Sequence, residues 1–182
     1  MDNSIGIAYM VYFRACSKTT KYVLSQNMPP ICDGWFLTQI KVFSYEKNSE
    51  DESLILEKFL KLFPFELKDY KIELKKSVAE GFKGKKITIY EVTLIKNKHI
   101  KIFIENLAGK VDEDQKKLIL LQKESRLDDN LDFFLRFSKD EYLRNDKLIL
   151  TDSGNCFHIK ISVAAFPKKR EIALEIVKGI LK

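Results

Sequence analysis

An α+β fold, with helices packed on one face of a mostly antiparallel sheet, is what this chain of 182 residues predicts. Three observations carry that prediction. Short β-branched and aromatic segments alternate apolar with polar residues, and segments at helical spacing lie between them. A strand, a brief glycine-containing link and a second strand also follow in direct succession, the pattern of a hairpin.

The elements follow in order. Residues 1–34 stand apart, because "SQNMPPICDG" gathers turn formers and a proline pair. They are expected to form an N-terminal extension, either an extra edge strand or a loosely attached arm, with residues 35–182 as one domain. "WFLTQIKVFSY" reads as a strand that sets Phe36, Thr38, Ile40 and Val42 against Leu37, Gln39, Lys41 and Phe43. "NSEDESLILEKFLKLF" reads as a helix capped by Asn48 or Ser49, with Leu56, Phe59, Leu60 and Phe63 as its stripe and Pro64 as its end.

"YKIELKKSV" and "KKITIYEVTLI" are the two hairpin strands, the first with Lys71 and Lys75 opposite its apolar face. "NKHIKIFIENLAG" is a helix with Asn97 as cap and Gly109 as stop, and "DEDQKKLILLQKE" is a second helix. "LDFFLRFS" is a strand with Phe133, Leu135 and Phe137 on one face, and "KDEYLRND" a short helix or turn. "KLILT" and "CFHIKISVAAF" are expected as strands around the turn "DSGN". Pro167 then opens a final helix with Ile172, Leu174, Ile176, Val177, Ile180 and Leu181 on or near its core stripe.

Composition narrows the function classes. Cys16, Cys32 and Cys156 are odd in number and never paired as Cys-x-x-Cys, so reduced thiols in a cytoplasmic compartment are expected rather than a disulfide framework or zinc site. The run "IGIAYMVYF" is about half of a membrane span and follows Asp2 rather than a basic cluster, which argues against membrane insertion or secretion. The net charge of +6 makes polyanions the first partners to consider. It is unevenly spread: Glu66–Lys110 holds eleven lysines against six acids, whereas Asp112–Asp132 holds seven acids against four bases. Either one basic face or an ordinary solvated lysine surface accounts for that asymmetry.

The loop "EGFKGKK" is the nearest approach to a nucleotide motif, and it fails. Gly81 and Gly84 enclose only Phe82 and Lys83, and a strand follows where a phosphate loop must open a helix. What remains is a hairpin tip bearing Phe82, Lys83, Lys85 and Lys86. An aromatic among cations suits RNA, with bases stacked on the ring and phosphates on the lysines; the plain alternative is a solvated turn with Phe82 tucked inward. Lys168, Lys169 and Arg170 form a second cluster, placed in the first turn of the last helix. Cations there oppose the helix dipole, and a bound anion would relieve the conflict, as would solvent and Glu171. His99 and His158 have no carboxylate or thiol at ligand or triad spacing, so no catalytic, metal or cofactor site is expected.

Four stretches in order, "VFSYEKNSEDESLILEKFLKLFP", "EGFKGKKITIYEV", "FFLRFSKDEYLRNDKLIL" and "KISVAAFPKKREIALEIVKGIL", give residues 35–182 a resemblance to an archaeal family of predicted RNA-binding proteins or exosome subunits. The resemblance implies a fold like the large-subunit ribosomal protein that binds 5S ribosomal RNA, and a non-enzymatic, RNA-related role. The family pattern has a glycine after the stretch that here ends at Leu143, where this chain has Arg144 and Asn145. Residues 1–34 lie outside the resemblance, and Met28 is an alternative start. The expected function is non-catalytic, sequence-nonspecific RNA binding through the two basic clusters, as an accessory to RNA processing or the exosome. The rival is a protein–protein adaptor or self-associating module, marked by an exposed apolar patch.

Overall fold

A computed structural model describes residues 37–47, 52–80 and 86–181, all within the unit Ile31–Lys182. The expected extension 1–34 and the expected cap at Asn48 or Ser49 lie outside the described residues. Strands β1 (Leu37–Lys47), β2 (Leu74–Glu80), β3 (Lys86–Leu94), β4 (Asp132–Ser138) and β5 (Cys156–Val163) form one sheet in the order β2-β3-β1-β5-β4. Every neighbouring pair is antiparallel. The described helices are α1 (Glu52–Leu60), α2 (Asn97–Lys110), α3 (Glu113–Leu121), α4 (Lys123–Arg126), α5 (Lys139–Asn145) and α6 (Arg170–Ile180). The α+β class and the β2–β3 hairpin are as the sequence predicts.

Central strand β1 shows how alternation becomes two faces. Ile40, Val42 and Ser44 point into the core, and Lys41 and Phe43 point away. Leu37 departs from the expected grouping with Lys41 and Phe43. The pairing register shifts between Leu37 and Gln39, and the bulge returns Leu37 to the core face opposite Val163. Phe157, Ile159, Ile161 and Val163 of β5 and Phe133, Leu135 and Phe137 of β4 complete that face as expected.

The helical stripe of α1 also differs. Ile55, Phe59, Leu62 and Phe63 are buried, whereas Leu60 is exposed, because the sheet meets positions spaced by four and three around Phe59. Phe59 is the hub of the core, its ring 5.7 Å from Phe63, 6.4 Å from Tyr90 and 6.3 Å from Phe157. Truncation there would cost about 3–5 kcal/mol. Asn97 is the first helical residue of α2 rather than its cap, and Gly109 does not stop the helix, which continues to Lys110. Burial of Ile100, Phe103, Ile104 and Leu107 holds α2 past a residue that would end an isolated helix. Asp112 caps α3 by accepting the Gln115 N–H at 2.8 Å.

The segment "KLILT" forms no strand. Leu150 makes one isolated bridge to Phe137, and its N–H donates to Gln115 Oε1 at 2.8 Å, so two strands close the fold where three were expected. Pro167 precedes α6 by three residues; Lys169 is the cap residue and Arg170 begins the helix. The turn lacking the family's glycine is carried by Asp146, in the left-handed region at φ 53°. Its carboxylate sits 2.5 Å from the largely buried Lys58 ammonium of α1, which ties the end of α5 to the core helix.

Candidate nucleic-acid interface

The core helices α1, α2 and α6 pack on one sheet face, so the outward positions of the strands define the other. Register assembles them into rows. One row runs Lys75, Glu91, Phe43, His158 and Arg136 across all five strands, and the next runs Thr93, Lys41, Lys160 and Phe134. At a strand spacing of about 4.8 Å, Lys75 and Arg136 stand roughly 19 Å apart. Between them lie rings: Phe43 is 5.9 Å from His158, and His158 is 5.5 Å from Phe134. The Lys160 ammonium lies 5.8 Å from the Phe134 centroid.

Charges on this face are partly spent. Lys41 pairs with Glu91 at 3.4 Å, and Lys160 with Asp132 at 2.6 Å. Ser162 donates to the same Asp132 carboxylate at 2.6 Å. Lys75 and Arg136, at either side, are exposed and have no ion pair among the described residues. The balance is positive. Burial, then Arg136 and Lys160, hold the His158 imidazole below its ordinary pKa, so it is neutral at physiological pH. Its Nε2 atom is buried without a hydrogen-bond partner among the described residues.

Beside the β2–β3 half of this face lies a groove of about 440 Å³, whose charged lining is Lys41, Lys71, Lys75 and Lys96 against Glu73 and Glu91, with Tyr70 and His99 beside them. Lys71 precedes β2 with φ 54° and lines this groove rather than a strand. Tyr70 stands 4.8 Å from His99 and 5.1 Å from Phe65, ring to ring. His99 is thus a buried aromatic-packed residue, and burial, then Lys96 and Lys98, depress its pKa. Among the described residues neither histidine meets a carboxylate, and no group of His, Cys, Asp and Glu is arranged to hold a metal.

The residues singled out in the sequence are distributed differently. Phe82, Lys83 and Lys85 lie outside the described residues; for Lys86 only the backbone is described, as the first residue of β3, opposite Glu80. Lys168 and Lys169 are exposed. Arg170 is engaged: its guanidinium donates to the carbonyls of Glu124, Leu127 (2.8 Å) and Asp128 (3.4 Å) and pairs with Glu124. Lys86 begins β3 toward the end of the sheet where Lys47 of β1 pairs with Ile87, whereas Val163, five residues before Lys168, pairs with Leu37 at the other end. Eleven residues of β1, about 33 Å, separate those ends. The outward residues not singled out for binding from the sequence are Phe43, His158 and Arg136 of one row and Lys160 and Phe134 of the next. Their signal was the polar half of each strand's alternation.

No described helix is long and apolar enough to cross a membrane. Among the described residues the most exposed large apolar side chains are Val78 in β2, Ile95 just after β3, Leu121 in α3 and Phe166 ahead of α6.

Residues 39–163 match the model of a family described as RNA binding. An RNA-binding protein from Pyrococcus abyssi is 28% identical over 144 residues, which cover 79% of this chain and 92% of that protein. A solved DUF54 protein from Archaeglobus fulgidus superimposes with a TM-score of 0.70 at 28% identity, covering 79% of this chain and 99% of its own. Another from Methanothermobacter thermautotrophicus gives 0.65 at 26% identity, covering 81% and 99%.

Proposed function

Because the chain belongs to this RNA-binding family, we propose that it is a non-catalytic RNA-binding protein that grips phosphates without sequence specificity. The observation that supports this reading most is the basic groove. Lys71, Lys75 and Lys96, from the segment with the large lysine excess, converge there with Lys41 beside an aromatic sheet face. Lysine ammonium groups on flexible stems suit phosphate oxygens, while base edges find few fixed donors there. The hairpin tip with Phe82, Lys83, Lys85 and Lys86 and the exposed Lys168 and Lys169 would extend the grip, with Arg170 anchoring the start of α6 just after that lysine pair. The finer reading follows the resemblance: a fold related to the 5S-RNA-binding ribosomal protein, and a cytoplasmic accessory role in RNA processing or at the exosome.

The test is titration of a labelled mixed-sequence RNA across a salt series, wild type beside Lys71→Glu/Lys75→Glu/Lys96→Glu. Affinity should fall steeply with salt, and the triple variant should lose affinity and about 2 units of log–log slope, near 0.7 for each lost phosphate contact. Absence of binding at low salt, or a slope unchanged in the variant, would refute the grip and favour the adaptor reading.

A further inference from the structure

At the other side of the sheet a second pocket, of about 360 Å³, is lined among the described residues by Gln122, Ser125, Arg126, Phe134, Arg136 and Asp152. Two guanidinium groups share it. Arg126 has a side chain only 9% exposed and is held by Gln122 Oε1, which accepts from Nε at 3.0 Å and from Nη2 at 2.5 Å. It also pairs with the exposed Asp152, a lining residue of the same pocket, at 3.7 Å. Arg136 is exposed and has no ion pair among the described residues. Burial pulls the Arg126 pKa down, Asp152 opposes, and Arg136 adds to the fall, so the two cations feel each other. Two guanidinium groups against the one Asp152 carboxylate leave the cavity net positive, and with Arg126 preorganised by a side-chain amide it suits an anion. Phe134 forms another wall, and beyond it lie His158 and Lys160.

From this geometry we infer that the pocket is a nucleotide site for single-stranded RNA, seating one phosphate between Arg126 and Arg136 and stacking the adjoining base on Phe134. The inference rests on the RNA-binding reading and adds the strand class to it. A paired base keeps its faces within the duplex stack, whereas an unpaired one can turn onto a protein ring. The groove lysines contact backbone alone and do not discriminate in this way. Phosphate recognition at one edge and a stacking step at the other give the sheet face a direction along which a strand lies.

The experiment compares a mixed-sequence single strand with a duplex of the same length, by anisotropy, for wild type, Phe134→Ala, Phe134→Tyr, Arg136→Ala and Lys75→Ala. Wild type should prefer the single strand. Phe134→Ala should weaken single-strand binding about tenfold or more and leave the duplex nearly unchanged, while Phe134→Tyr retains the preference. Arg136→Ala should weaken the single strand and lower its salt slope by about 0.7. Lys75→Ala should weaken both forms alike. If Lys75→Ala weakens RNA but both Phe134→Ala and Arg136→Ala bind like wild type, the pocket is not a nucleotide site although the protein binds RNA. If wild type binds neither form at low salt, the RNA-binding reading falls and this site with it.

Discussion

Replacing Arg170 by alanine separates the two roles that a cation at a helix start can have. Composition puts Arg170 with Lys168 and Lys169 as one anion grip, but its guanidinium is occupied by the carbonyls of Glu124, Leu127 and Asp128. Two of those bonds are close and the third, at 3.4 Å, is weak. The pair with Glu124 is solvent-exposed and adds little. A charge-assisted hydrogen bond to a carbonyl is worth about 1.5–3 kcal/mol when shielded, and nearer 1 kcal/mol here, where the side chain is 36% exposed. Arg170→Ala should therefore destabilise the fold by about 2 kcal/mol. At an m-value of about 2 kcal/mol/M this lowers the urea midpoint by about 1 M. Lys169→Ala should leave the midpoint unchanged or slightly raised, because it removes a cation from the positive end of α6. Its effect should appear instead as weaker RNA binding and a smaller salt slope. Urea unfolding followed by circular dichroism, with RNA titration under folding conditions, reads both. The reasoning fails if Arg170→Ala leaves the midpoint in place and reduces RNA affinity as Lys169→Ala does.

Two further outcomes follow from the same structure. Burial depresses His99 and His158 below their ordinary value of 6.5, so the folded state takes up these protons less readily than the unfolded chain. Their contribution is intact above pH 6.5 and lost as pH falls through the lower folded values, so the urea midpoint should drop on acidification from pH 7 to 5. His158→Phe, which stays aromatic without titrating, should reduce that drop, and an unchanged pH profile would contradict the assignment. Gly109 lies inside α2, and a Cβ built there meets nothing within 4 Å. Gly109→Ala should raise stability by about 0.5–1 kcal/mol, measurable as a higher midpoint; a lower one would mean that the glycine is needed for the end of the helix.

Much of this protein is legible in its sequence wherever one element explains itself. Alternation in "FFLRF" and "CFHIKISV" names the inward residues of β4 and β5 before any partner is known, because successive side chains in a strand must point to opposite faces. The hairpin, the acid-first start of α3 and the basic character of residues 66–110 are similarly local. Errors arose where a distant partner decides. The bulge that turns Leu37 inward depends on β5, and the helix through Gly109 depends on the core beneath it. The loss of "KLILT" as a strand depends on what borders β4. The site is the strongest case. Phe43, Phe134 and His158 are far apart in the chain, and each is merely the outward residue of its own strand until antiparallel register sets them side by side. Charge shows the same division: sequence determines that the chain carries excess lysine and arginine, but only the tertiary structure decides which are free. Arg170 has found carbonyls more than forty residues away, whereas Arg136 lines a cavity and forms no ion pair among the described residues. Local periodicity is set by covalent geometry, while availability of a cation is set by what folding brings within hydrogen-bond reach.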